Sequence, residues 1–168
     1  QNDLSTSRRQ LAGAGLQTAA FVCGGKLQPN NDARTDTEHY NGSSWTGGGT
    51  MSNARRLHSA LGTQTAGLAV AGFAPPATTT CEEYNGSSWT SGGGLSGSAR
   101  YRTASCGIQT AGLVCGGADT PGSALTLTEE YDGTNWTAGS ALNATKNSAA
   151  ISGTQDSAIV FTTGAISE

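Results

Sequence analysis

The sequence predicts an all-β protein assembled from a repeated unit of four short strands. Three observations lead there. The phrase EHYNGSSWT at 38–46 returns as EEYNGSSWT at 82–90 and as EEYDGTNWT at 129–137. A second phrase, GLQTA at Gly15, returns as GTQTA at Gly62, GIQTA at Gly107 and, degraded, GTQDS at Gly153. Tyr40, Tyr84 and Tyr131 step by 44 and 47 residues, and the four Gly by 47, 45 and 46, so two unrelated phrases share one period. A fixed period of this size marks a duplicated structural unit. Finally, no stretch carries a 3.6-residue apolar stripe. The apolar runs are short and bounded by Gly, Asn or Ser, as strands are.

Each unit contains four such runs. The first is small and half-apolar (RTASCG at 102–107) and the second compactly apolar (AGLVCGG at 111–117). The third is TEEY, and the fourth is carried by Trp-Thr. In the first unit the strands are expected near 9–15, 18–24, 36–41 and 44–47. Asn41-Gly42, Asn85-Gly86 and Asp132-Gly133 fall between the third and fourth runs, where they are expected to supply the positive φ angles of a tight hairpin. Tyr to Trp is five residues in every copy, and Trp to Met51, Leu95 or Leu142 is six. Arg8, Arg55, Arg100 and Lys146 each precede the Gly of the second phrase by seven. Only the interval from Gly25, Gly72 and Gly117 to the next Tyr drifts, at 15, 12 and 14 residues. A rigid frame thus carries one loop of variable length.

Four strands per unit of this length are the signature of a propeller blade. A lone sheet of such small residues cannot bury both faces, so the units must stack, with Trp45, Trp89 and Trp136 expected as wedges between them. Gly and Ala of the second strand would allow close approach. The units are expected at 4–50, 51–94 and 95–141, with a half-unit at 142–168, all in one segment spanning 1–168.

An apolar strand ending in Gly-Gly, a variable loop, then Glu-x-Tyr with Trp five residues later resembles the kelch repeat. The likeness runs from Leu4 to about Gly164. It departs at Ala71-Gly72, which replaces the glycine doublet, and at Thr163-Gly164, which arrives one place late. The resemblance implies a kelch-like β-propeller of about three and a half blades. The wording GxQTAGL…EEYNGSSWT also resembles kelch-like arrays of structural proteins from marine bacteriophages and some aquatic bacteria. That likeness implies a virion or extracellular location.

The formal net charge of −3 recommends neither nucleic acid nor an anionic membrane as partner. No apolar run approaches the roughly 20 residues of a membrane span. Cys23 and Cys115 occupy the strand position held elsewhere by Val70 and Phe161, which reads as a small buried hydrophobe. A hairpin turning at Thr110-Ala111 would set Cys106 opposite Cys115, leaving a cross-strand disulfide as the alternative to buried thiols. Asn41, Asn85, Asn135 and Asn143 match the N-glycosylation pattern, but for Asn41 and Asn85 turn geometry is the simpler reason, since Asp132 replaces them.

No set of groups converges on catalysis. His39 and His58 lie in different units, and His39 only replaces Glu83 and Glu130. The copper-binding kelch oxidases use several His and Tyr, a set this chain lacks. Glu38, Glu82 and Glu129 recur two residues before Tyr40, Tyr84 and Tyr131, as an architectural residue would, and are expected to hold a backbone amide or an Arg. No enzyme activity, cofactor or metal is expected.

Charge placement says more. Up-and-down strands put the variable loops and the fourth-to-first connections on one rim. All nine Lys and Arg belong there, against Asp3, Asp32, Asp36, Asp119 and Glu168, leaving about +4 on that rim and −7 elsewhere. Arg8, Arg55 and Arg100 recur and are expected to pair with the repeated Glu. Lys26, Arg34, Arg56 and Arg102 do not recur and are the candidate ligand-binding rim. The sequence thus points to a non-enzymatic binding or structural module. A phage tail fibre or surface-decorating protein that recognises a host surface glycan or protein is the first reading. A secreted bacterial lectin or adhesion module is the second, and a kelch-type oxidase a distant third. NDLSTSRR aligns with TMSNARR, placing Gln1 just after a missing Trp strand, so the chain is expected to continue or to meet further copies or other virion proteins that supply the outer strands.

Overall fold

Small and β-branched residues punctuated by Gly leave the chain no helix-forming stretch, and among the described residues there is none. The computed structural model describes residues 3–29 and 32–161. Fourteen strands form there: β1 (Ala12–Leu16), β2 (Ala19–Cys23), β3 (Thr37–Tyr40), β4 (Trp45–Gly47), β5 (Ser59–Thr63), β6 (Ala66–Val70), β7 (Thr80–Tyr84), β8 (Trp89–Gly94), β9 (Ala104–Ile108), β10 (Ala111–Cys115), β11 (Thr128–Tyr131), β12 (Trp136–Ala138), β13 (Ala150–Gly153) and β14 (Ala158–Phe161). They make three four-stranded antiparallel sheets in chain order and one two-stranded sheet, β13–β14. Thr163-Gly164 and Glu168 lie outside the described residues.

The first strands of successive sheets, β1, β5, β9 and β13, lie side by side. The sheets therefore stack face to face through one edge of each. Two apolar layers fill the gaps. Phe21, Met51, Ala69, Tyr84 and Trp89 form one, and Leu61, Leu68, Val114, Tyr131 and Trp136 the other. Trp89 and Trp136 are 7 % and 5 % exposed, whereas Trp45 is only half-buried. Each buried Trp packs on the sheet before its own, and the described residues hold no sheet on that side of Trp45. Trp89 stacks on Tyr84 at 4.6 Å and meets Phe21 edge-on at 6.0 Å. Its Nε1 donates to Thr37 Oγ1 at 2.9 Å and to the Gly49 carbonyl at 3.1 Å. Trp136 meets the poorly accepting thiol of Cys81 instead of that threonine, and its Nε1 has no oxygen acceptor. Close approach is real at Gly67, where a Cβ would stand 2.6 Å from the Phe21 ring.

Two sequence expectations need correction. The β9–β10 hairpin turns at Gln109-Thr110, pairing Cys106 with Leu113 and Cys115 with Ala104. Moving the turn by one residue shifts every partner by two, which separates the two thiols, and all four Cys are free and buried. The outer hairpins also turn differently. Only Gly42, Gly86 and Gly133 have positive φ, at 96°, 94° and 92°. Asn41 and Asn85 act through Oδ1, each accepting two backbone amides of the loop at 2.9–3.0 Å. Asp132 does the same at 2.7 and 2.8 Å, which is why it substitutes freely. The departure at Ala71 is absorbed by strain: its φ is 58°, against 61° at Gly24 and Gly116.

Because Trp89 fills an inter-sheet layer and satisfies its Nε1 there, Trp89→Ala is expected to cost about 3–5 kcal/mol in urea unfolding. Trp45→Ala should cost less than half as much, and equal losses would contradict the packing described.

Candidate functional site

The recurring charges belong to the scaffold. Arg8–Glu38, Arg55–Glu82 and Arg100–Glu129 are ion pairs at 2.7, 2.6 and 2.7 Å, with the Arg side chains fully buried. Each carboxylate also accepts backbone amides of the loop entering its own sheet: Ser5 at 2.8 Å, Ser52 at 2.6 Å, Ser96 at 2.5 Å. Arg55 also donates to the carbonyls of Ala71 and Thr80, at 3.1 and 2.7 Å, and to Thr80 Oγ1 at 3.2 Å. Burial works to raise the Glu129 carboxyl, but the bonds from Ser96 and Arg100 outweigh it and hold it below the usual range.

Immediately after each of these Arg, the backbone builds one motif repeatedly. Arg9 bridges Lys26, Arg56 bridges Phe73, and Tyr101 bridges Ala118. The next residue along is left-handed in every sheet: Gln10 (φ 59°), Leu57 (54°), Arg102 (57°) and Ser148 (54°). These residues are linked in series. Leu57 N donates to Gln10 O at 2.9 Å, Arg102 N to Leu57 O at 2.7 Å, and Ser148 N to Arg102 O at 3.0 Å. Non-glycine residues at positive φ cost about 1 kcal/mol or more each, and persist where their surroundings over-determine them. The result is a mouth with a repeated backbone and unrepeated side chains.

Of the four candidate rim residues, the structure brings three together. Lys26, Arg56 and Arg102 border one depression with Gln10, Phe73 and Tyr101. Arg56 lies over the Phe73 ring at 5.2 Å and Arg102 over Tyr101 at 5.4 Å, while the two rings meet edge to face at 5.2 Å. Lys26 is mostly buried, and burial, with Arg9 and Arg56 nearby, pulls its ammonium below the ordinary range. Arg34 is not part of this group. It pairs with Asp36 at 2.6 Å, a contact that also lowers the Asp36 carboxyl, and it bridges Arg55.

Sequence reasoning left the Gln of GxQTA without a role, although it recurs in every unit. Gln64 Nε2 donates to the Ala20 and Tyr40 carbonyls at 2.8 and 3.0 Å. Gln109 reaches Gly67 and Tyr84, and Gln155 reaches Gly112 and Tyr131. Each amide thus ties its sheet to the one before. Tyr84 and Tyr131 do likewise, bonding to His39 at 2.8 Å and Glu83 at 2.5 Å. Tyr40 turns back to the Gly42 carbonyl of its own loop.

The other histidine is interior. His58 Nε2 lies 3.4 Å from Cys23 Sγ, and burial, then the Arg55 charge, drives its pKa down to about 3. Burial pushes the Cys23 thiol up to about 12, the reverse of a reactive cysteine. No protein-family model matches this chain, and no curated protein matches it.

A neutral buried His58 contributes stability that is complete above its unfolded pKa near 6.5 and is lost as pH falls toward about 3. Unfolding free energy should therefore decline by a few kcal/mol across that window, and His58→Leu should flatten the decline. Glu82→Gln is expected to cost about 3–5 kcal/mol in denaturant, because it leaves the Arg55 charge buried and uncompensated. A loss below 1 kcal/mol would show that water reaches the pair.

Proposed function

We propose that this chain is a segment of a kelch-like β-propeller serving as a non-enzymatic binding or structural module. In this reading the sheets are blades, the linked first strands line the propeller axis, and the mouth opens on one end of it. The module belongs to a virion appendage, a tail fibre or surface-decorating protein, that recognises a host surface glycan or protein. One observation carries the binding role: the scaffold consumes Arg8, Arg55, Arg100 and their Glu partners, while three of the four candidate rim cations, Lys26, Arg56 and Arg102, border a single depression. An active site would instead need a nucleophile, a base or an open metal position among converging groups. Among the described residues no three His, Cys, Asp or Glu side chains lie together as metal ligands. The likeness of phrase to phage arrays supports the virion setting over the runner-up, a secreted bacterial lectin or adhesion module.

Antibodies raised against the 168-residue chain should label appendages of purified virions, and the labelled chain should adsorb to intact host cells without chemically altering their surface polymers. Label confined to the bacterial culture supernatant would select the secreted lectin. Absence of adsorption to any cell surface or surface polymer would defeat the binding role.

A further inference from the structure

Two depressions meet at Lys26. The first, about 240 Å3, is bordered by Gln10, Lys26, Arg56, Leu57, Phe73, Tyr101 and Arg102. The second, about 270 Å3, is bordered by Ser7, Arg8, Arg9, Lys26 and Gln28. No carboxylate borders either one. We propose that this double depression binds an acidic polysaccharide, a chain bearing carboxylate or sulfate groups on successive sugar units, with one acidic group engaged in each depression. The inference rests on the binding-module reading and names the class of its ligand.

The chemistry of the lining selects that class. Arg56 and Arg102 are each stacked on an aromatic ring, so their planes are held before a ligand arrives. A pre-held guanidinium loses less freedom on forming paired bonds to a carboxylate or sulfate. Lys26 borders both depressions, with Arg9 and Arg56 close enough to act on its charge, so an anion seated in either one lessens the mutual repulsion of these cations. Each depression is smaller than the roughly 300–1,000 Å3 of drug-sized pockets, and so fits one ring or one acidic group. Two of them joined at one lysine ask for a ligand that repeats. A nucleic acid fits less well. Phe73 and Tyr101 are already engaged by guanidiniums and by each other, leaving no platform for base stacking.

Arg102 makes a clean test possible. Its φ of 57° is a conformation glycine adopts without cost, so Arg102→Gly removes the guanidinium without straining the fold. Ser148→Gly makes the same backbone change at the neighbouring link, which borders neither depression and where no charge is lost. Binding of the 168-residue chain should be measured against polygalacturonate, dextran sulfate, neutral dextran and a single-stranded DNA oligomer, at low salt and at about 0.5 M salt. At least one of the two acidic polysaccharides should bind at low salt and be released at high salt, and neutral dextran should not bind. Which one binds identifies the acidic group. Arg102→Gly and Arg56→Gln should each weaken binding about tenfold or more, with Ser148→Gly unchanged and the melting temperature of Arg102→Gly no lower than that of the parent. The inference is overturned by equal affinity in the Arg variants, by equal binding to neutral dextran, or by tighter binding to DNA. Host-cell adsorption that survives both Arg substitutions also sinks it, yet leaves the binding-module reading standing. A parent chain that adsorbs to no cell and no polymer sinks that reading itself.

Discussion

The arrangement of this protein depends on a carboxylate buried at the foot of each complete sheet. Glu38, Glu82 and Glu129 each neutralise a fully buried Arg and gather the amides of the chain entering the sheet. A buried charge without a partner costs several kcal/mol, so any displacement of this loop exposes the fold to that penalty. The loop is therefore pinned, and the two residues after each Arg inherit its position. These are the residues that form the mouth. The backbone of this rim is held by an electrostatic anchor one residue away.

Sheet-to-sheet cohesion comes from a different set of groups. The Gln amides satisfy carbonyls of the preceding second and third strands, and the Tyr hydroxyls reach the residue between Glu and Tyr of that sheet. Trp fills the gap behind them. Polar bonds at the periphery set register, while the aromatic layer supplies the burial. With small residues in the second strands, the sheets come close enough for both to act together.

Much of this was legible in the sequence. Equal spacings from Tyr to Trp and from Arg to Gly imply a repeated backbone, and the expected strands of the first unit overlap all four observed ones. The Arg–Glu pairing was also readable, because both residues recur once per unit. What was hidden depends on one residue of register or on neighbours in space. The hairpin after Ile108 turns one residue earlier than expected, which separates Cys106 from Cys115. Trp45 shares its local sequence with Trp89 yet lacks a sheet to cover it. Arg34 carries the same charge as Arg56, but Asp36 two residues away captures it. The Gln recurred visibly, and its role stayed hidden because both its acceptors are backbone carbonyls, which leave no trace in side-chain identity.

The series of left-handed links from Gln10 through Leu57 and Arg102 to Ser148 has a further consequence. The four residues make the same backbone bonds whether they are amide, aliphatic, cationic or hydroxyl. Nothing in the fold's own chemistry therefore dictates which side chain stands there. This row of side chains could be exchanged in single steps while the sheets beneath remained as they are. Adaptability of this kind usually resides in long loops that must be ordered when they bind. Here the variable side chains are mounted on a backbone already held by its own bonds, so exchanging one asks for little further ordering of the chain.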